Sequence, residues 1–430
     1  MEVIEKMQAG ITKVNITPPV GLELSGWAFG PSVGILDELY AKLLVLESES
    51  NKVAIVTTDL IGLQTEYADN IRDGIAKKLN INVENVLISA SHTHSGPGTM
   101  ILRHWGEIDI DYVHNLEKQI IGAVVMAENS MQEARIGIGK GKVEGVGVNR
   151  RDGENGSVDP DVGVIRIDNT QGDMIAVLMN YSCHPVAAHN YKNMISADYP
   201  GYSMNVIEKA KNGKVMVYQT TGAAGDINPK GLHDIRYAEK IGNMVGGEAL
   251  KVAESIETQP DLTLSVASRK VKIPVNKLPP AEELQTEIID GRQKLEQLKQ
   301  NGNSQYPQLM DAYIRLEWAE DTLSIVQSDS QTDHLDMEIQ AIRINNAVLV
   351  AIPGELFVDI GLNIKEASPY PYTFIVEMAN GSTCYLPTRK AFEKGGYELD
   401  FSSKVYGIYS ITADTQDIIE GETIKILNCL

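Results

Sequence analysis

Short apolar runs and longer amphipathic stretches alternate along most of this chain. Residues 53–58, VAIVTT, form an unbroken β-rich run of the kind expected for a strand covered on both faces. From 66 to 79 the period changes: Ile71, Ile75 and Leu79 recur at helical spacing, and a second apolar strand follows over 85–91. The pattern predicts a helix over 111–131, strands over 134–139, 162–167, 174–181 and 215–220, and a helix from about 232 to 256. Helices interleaved with buried strands define an α/β fold, a mixed β-sheet core flanked by helices.

The pattern then shifts. Residues 279–327 open on a Pro-Pro helix start, with Leu284, Ile288, Leu295 and Leu298 on one face. After the polar break NGNSQYP a second run carries Leu309, Tyr313, Leu316 and Leu323. This predicts an antiparallel helical hairpin inserted between strands, a packing or oligomer-forming element that leaves room for a homo-oligomer and carries no chemistry. From Met337 the chain is β-rich again, through IQAIRINNAVLVAIPGE and YTFIVEMANGSTCYLP. No internal repeat or low-complexity tract divides it. Residues 1–430 are therefore read as one domain with an insertion at 279–327, and 43 % hydrophobic content supplies a large core for it.

Charge narrows the partners. Fifty-eight acidic against 38 basic side chains leave a formal charge of −20, which argues against nucleic acid or an anionic membrane surface. A small-molecule substrate is the expected partner. The opening MEVIEKMQAGITKVNITPP lacks a basic stretch followed by an apolar core, and no apolar run approaches the roughly 18 residues of a membrane span. Cys183, Cys384 and Cys429 are odd in number and far apart, which does not suggest a disulfide framework. The expectation is a cytoplasmic protein without membrane insertion.

The chemistry starts from histidine, which is scarce, eight in 430 residues, yet occurs twice in SHTHSGPG, residues 91–98. In a strand, residues i and i+2 share a face, so His92 and His94 would project together. Gly96 and Gly98 let the backbone turn away without covering them. Imidazole suits zinc, and a catalytic zinc keeps one coordination position for water. An HxH pair alone does not name a metal. Other ligand-type residues also end apolar runs: Cys183-His184-Pro185 with His189 beyond, the loop TTGAAGDINP with Asp226 and Asn228, Pro353-Gly354-Glu355, and Asn380 followed by Tyr385. Functional side chains gather on loops at strand ends. Each has a bland alternative, a core histidine, a solvated glutamate or an ordinary sheet tyrosine, but so many such stations in one chain disfavour the bland reading for all.

The ordered set HTHSGPG (92–98), Asn180 to Pro185, GDINP (225–229), PGE (353–355) and Asn380…Tyr385 resembles the N-terminal domain of the neutral, non-lysosomal ceramidases. So do AGITKVNITPPVG (9–21) and TTDLIGL (57–63). Order and rough spacing agree over nearly the whole chain apart from the hairpin, and 430 residues do not also accommodate the C-terminal β-domain of those enzymes. The resemblance implies a ceramidase-like catalytic domain with one zinc ion held by His92, His184, Glu355 and Tyr385, and His94 beside the reacting group. Mixed N/O donors suit zinc, which acidifies water and polarises a carbonyl. His94 could then orient or protonate the reacting group.

One departure matters most. The family pattern GDxSPN carries an essential serine where this chain has Asn228 in GDINPK. An amide side chain is no nucleophile but can donate to an oxyanion, so attack by metal-activated water is the surviving route. Low aromatic content, 6 %, also weakens a long-chain ceramide as substrate and favours a smaller, more polar amide or ester. Arg150 is a candidate for bidentate binding of a substrate carboxylate, and His189 and His104, with Trp105, for the pocket mouth. Asp59 and Asp226 are candidate outer partners that fix a ligand histidine's tautomer, Asp198 a turn cap, and Cys183 and Cys384 small packing residues. A family member that binds metal and ligand without hydrolysing it is the alternative. An amidohydrolase barrel ranks below both, because no terminal aspartate station or repeated β/α pattern is found.

Overall fold

The computed structural model describes residues 7–26, 30–189, 191–300 and 306–430; the first six residues and most of the polar break in the hairpin lie outside the described residues. Two β-sheets stack face to face with helices on both outer faces. The larger sheet runs, edge to edge, Met216–Thr221, Met174–Tyr181, Asp161–Asn169, Gln132–Lys142, Gln8–Asn15, Tyr40–Glu47, Lys52–Thr58 and Val86–Ala90. Its two outermost pairs are parallel and the pairs between are antiparallel. The smaller sheet orders Leu264–Pro274, His334–Ile344, Ala347–Ala351 and Tyr372–Val376, with only the last pair parallel.

The layering explains the unbroken apolar runs. Along Ala347–Ala351, Leu349 packs between the sheets with Leu44, Leu46, Ile55 and Leu178, while Val348 and Val350 share the outer layer with Ile360, Ile364 and Ile419. In the larger sheet, Val177 and Met179 turn outward onto Ile207 and Val245 of the helices Asp198–Ala210 and Ile235–Ser255. Both faces are apolar because both are covered, each such side chain contributing about 1.5–3 kcal/mol on burial. Arg72, buried on the helix Thr65–Leu79, ties the sheets at one edge through Val86 O (3.0 Å) and Glu338 Oε2 (2.6 Å). Among the described residues, no helix is long and apolar enough to cross a membrane.

The expected elements from 53 to 256 are present, with ends displaced by up to three residues. Two central strands carry little sequence signal. Tyr40–Glu47 is interrupted by Lys42, which is buried with its ammonium on Val217 O (2.7 Å) and Glu208 Oε1 (3.0 Å). Gln8–Asn15 includes Gly10, where a Cβ would lie 2.1 Å from Ala127 O of the helix Ile110–Asn129. The insertion forms two helices, Ala281–Gln300 and Tyr306–Gln327, joined by Leu284, Ile288 and Leu295 against Ala312, Leu316 and Ala319.

Six strands end in one region. Thr221 Oγ1 donates to Ser91 O (2.8 Å), Ser91 N to Thr58 O (2.8 Å), Glu377 N to Thr221 O (3.0 Å) and Ala90 N to Met378 O (3.1 Å). The loops that follow Thr58, Ala90, Tyr181, Thr221, Ala351 and Val376 are thereby gathered above the sandwich, where they build the site.

Candidate metal centre

His92 and His94 lie beyond the end of their strand, not in it. Val86–Ala90 stops two residues earlier, and His92 has a left-handed backbone, φ 69°. The shared direction of the two rings therefore comes from a turn held by long-range contacts. His92 Nδ1 meets Ile61 O at 2.5 Å, His94 Nδ1 meets Gly26 O at 3.0 Å, and His184 Nδ1 meets Ala224 O at 2.9 Å. A carbonyl only accepts, so each Nδ1 carries the ring proton and each Nε2 presents a lone pair.

Those lone pairs converge. His92 Nε2 lies 3.0 Å from His184 Nε2 and 3.2 Å from His94 Nε2. Glu355 Oε2 joins them, 3.4 Å from His92 Nε2 and 3.2 Å from His184 Nε2. That oxygen is buried and receives no hydrogen bond among the described residues, while Oε1 takes the Tyr406 hydroxyl. Three proton-free nitrogens and an unpaired carboxylate oxygen facing one point repel one another, and a cation there would relieve the repulsion. The separations of 3.0–3.4 Å are slightly shorter than the roughly 3.3–3.6 Å between ligands about 2.0–2.2 Å from a tetrahedral zinc, so a small outward shift of the groups would seat the ion. His92, His94 and His184 form a buried group that could hold a metal ion.

Electrostatics point the same way. Burial, reinforced by the neighbouring rings, holds His94 well below the ordinary histidine range, and burial lowers His184 despite the opposing pull of Glu355. Burial pushes the Glu355 carboxyl up, but positive charge on the His92 and His184 side, which a bound cation would supply when the rings are neutral, outweighs it and holds the group well below its usual range. His94 and His184 are thus neutral beside a carboxylate, ready for a cation without first losing protons. Zinc affinity, measured against a competing chelator, is therefore expected to hold nearly level as pH falls to the ordinary imidazole range near ~6.5 and to drop only below it. A decline already steep between pH 8 and 7 would contradict this.

Outer partners fix the set. Glu377 Oε2 accepts from Ala224 N and Leu356 N, both at 3.1 Å, and so braces the turns that orient His184 and Glu355. Asp226 and Asp59 do not touch the histidines. Asp226 accepts from Val358 N (2.8 Å) and Asn149 Nδ2 (2.8 Å), and Asp59 from Tyr40 N (2.8 Å); carbonyls of adjoining turns set the tautomers instead. Asp198 caps a turn, receiving Tyr199 N (2.5 Å) and Ala188 N (2.7 Å). Removing an outer partner costs about 10–100-fold in metal affinity or activity. Tyr406→Phe, which deletes only the hydroxyl on Glu355, is expected to fall in that range by zinc titration while remaining folded by circular dichroism.

The group opens on a cavity of about 550 Å³ whose lining includes Arg150, His189, Asn228 and Tyr385. Arg150 Nε donates to Glu398 Oε1 (2.9 Å) and Nη1 to Asn228 Oδ1 (3.3 Å), and the guanidinium lies 5.2 Å from the centre of the Tyr385 ring. Nε and one N–H of Nη1 are thus engaged, while Nη2 is buried with no hydrogen-bond partner among the described residues and keeps its donors for a ligand. His104 does not reach the cavity: its Nε2 pairs with Glu317 Oε1 at 2.8 Å, and Trp105 faces the cavity in its place. The cavity also takes residues that carried no sequence signal, His233 from a loop and Tyr397, Glu398 and Tyr406 from two one-turn helices, Tyr397–Asp400 and Ser402–Tyr406. Helices that short show no period.

Fold and site together define an α/β sandwich with a candidate metal centre at its strand ends. Comparison with known proteins places it further. Residues 7–230, over half the chain, match the family described as neutral/alkaline non-lysosomal ceramidase, N-terminal, and the protein belongs to that family. It is similar to a neutral ceramidase of Drosophila pseudoobscura pseudoobscura, 24 % identical over 255 residues, covering 52 % of this chain and 36 % of that protein. A Dictyostelium discoideum protein named neutral ceramidase A is 27 % identical over 189 residues, 39 % of this chain and 26 % of its own length. The chain thus spans about a third or less of these curated relatives. The crystal structure of neutral ceramidase from Pseudomonas aeruginosa shares the fold, with TM-score 0.74 at 18 % identity over 98 % of this chain and 74 % of that one.

Proposed function

We propose that this protein is a zinc-dependent hydrolase, with one zinc ion, that cleaves an amide or ester bond of a small, polar N-acyl-type substrate with activated water. The observation that carries the reading is the convergence of three unprotonated Nε2 atoms and the unpaired Glu355 Oε2 on one point. His92, His184 and Glu355 would hold the ion, with Tyr385 the further ligand that the family pattern implies. When bound, zinc lowers the pKa of water towards ~7 and polarises a carbonyl.

The remaining roles belong to the chain's own groups. His94 is the least enclosed of the three rings, and its Nδ1–H is held by Gly26 O, which leaves Nε2 to take up a proton and return it to a leaving group. Asn228 gives its amide oxygen to Arg150, so the amide N–H end is what it offers a developing oxyanion. No side chain at that position can form an acyl intermediate. The cavity volume lies in the range of small-molecule sites, and its lining sets Arg150, Arg151, Lys394 and Glu398 among apolar side chains such as Leu102, Trp105 and Leu232. The test is metal analysis with turnover on a panel of N-acyl and ester compounds, N-acyl-sphingosine included. Zinc-loaded protein that binds ligands tightly but cleaves none of the panel would instead be a non-hydrolytic binding protein.

A further inference from the structure

The two-helix insertion reads in sequence as a packing element, but its second helix lies on two segments of the cavity wall. Residues 101–106 supply Leu102 and Trp105 to the cavity, and residues 397–406 supply Tyr397, Glu398 and Tyr406. On the first segment, Arg103 Nη2 donates to Asp321 Oδ2 at 2.6 Å, His104 Nε2 pairs with Glu317 Oε1 at 2.8 Å, and the His104 and Tyr313 rings are 5.3 Å apart. On the second, Lys404 Nζ sits 3.5 Å from the centre of the Trp318 ring and 3.4 Å from Glu287 Oε1, and the Arg315 guanidinium lies 4.7 Å over Phe401.

The wall segments also meet each other. Arg103 N donates to Val405 O at 2.8 Å, and the Trp105 and Tyr397 rings stack 6.0 Å apart at 19°. Neither segment is part of a sheet, and both consist of turns and one-turn helices. Such segments open locally at low cost unless something outside holds them.

We propose that Glu317, Trp318 and Asp321 are positioning residues: by clamping the two segments, the insertion sets the width of the cavity at Trp105 and Tyr397, and with it the size of the substrate group admitted. Each exposed ion pair alone contributes little. Their effect is joint, because one helix face grips both segments through acidic groups set against Arg103 and His104 and an aromatic face set against Lys404. The clamp rests on the hydrolase reading only where substrate size is concerned.

Glu317→Lys/Asp321→Lys, in the zinc-loaded full chain, sets a like charge against Arg103 and removes the acceptor of His104 Nε2. Glu320→Lys is the control, since Glu320 pairs with Arg292 within the insertion. Amide hydrogen exchange across 99–107 and 397–407 is expected to quicken several-fold in the double variant and not in the control, with zinc content unchanged. KM should rise several-fold for the bulkiest substrate cleaved, with kcat on the smallest ester unchanged. If the double variant fails to fold, Glu317→Gln/Asp321→Asn tests the same contacts. Unchanged exchange at both segments in a folded variant overturns the clamp, and quickened exchange with no size-dependent change in KM overturns its role in specificity. If the unaltered protein cleaves nothing, the hydrolase reading fails, and exchange still decides whether the insertion holds the wall.

Discussion

Replacing His184 with alanine is expected to abolish metal retention and hydrolysis together. Loss of an outer partner already costs about 10–100-fold in metal affinity, and a direct ligand should cost more. The variant removes one of the converging Nε2 atoms and leaves Ala224 O without its ring N–H, but the strand that presents the residue, Met174–Tyr181, is held by ladders on both sides. The fold should therefore persist while the site empties. Metal analysis after dialysis and turnover on the best substrate measure the two losses, and circular dichroism checks the fold. Retention of a full equivalent of zinc by His184→Ala would remove this residue from the ligand set.

Asn228→Ala is expected to lower kcat by about 10²–10³, the usual loss on removing one oxyanion donor, with zinc content unchanged. Asn228 stands on the short strand Ile227–Pro229, paired with Gly147–Asn149, so the backbone that places it does not depend on its side chain. The variant also frees Arg150 Nη1. A defect in substrate placement would therefore appear in KM and a lost donor in kcat. Asn228→Ser asks the complementary question, and gain of N-acyl-sphingosine cleavage would mean that the rest of a ceramidase pocket is present. An unchanged kcat in Asn228→Ala would exclude an oxyanion role.

Much of the fold was legible because burial on both faces writes itself into local pattern, as in VAIVTT and AVLVA. The two strands that escaped are the ones whose local composition contradicts their place: Lys42 is buried because Glu208 and Val217 O, far along the chain, receive its charge. At the site, the residue types at the strand ends were legible while their partners were not. His104 looked like a mouth residue until Glu317 claimed it, and nothing near Arg150 in sequence announces that Glu398 and Asn228 hold its Nε and Nη1. Tyr406 left no trace, since nothing near residue 406 announces a partner at Glu355.

The sequence by itself determined which chemical groups end the strands: imidazoles after two of them, a carboxylate after a third, and an amide where the family pattern has a serine. It also determined that the strands are covered on both faces. Only the tertiary structure decided which ring nitrogens carry protons, because Ile61, Gly26 and Ala224 supply the carbonyls that hold them. It also decided that the lone pairs meet at one point beside Glu355. A lone pair's direction depends on contacts made across the fold, and no local pattern of residues encodes it.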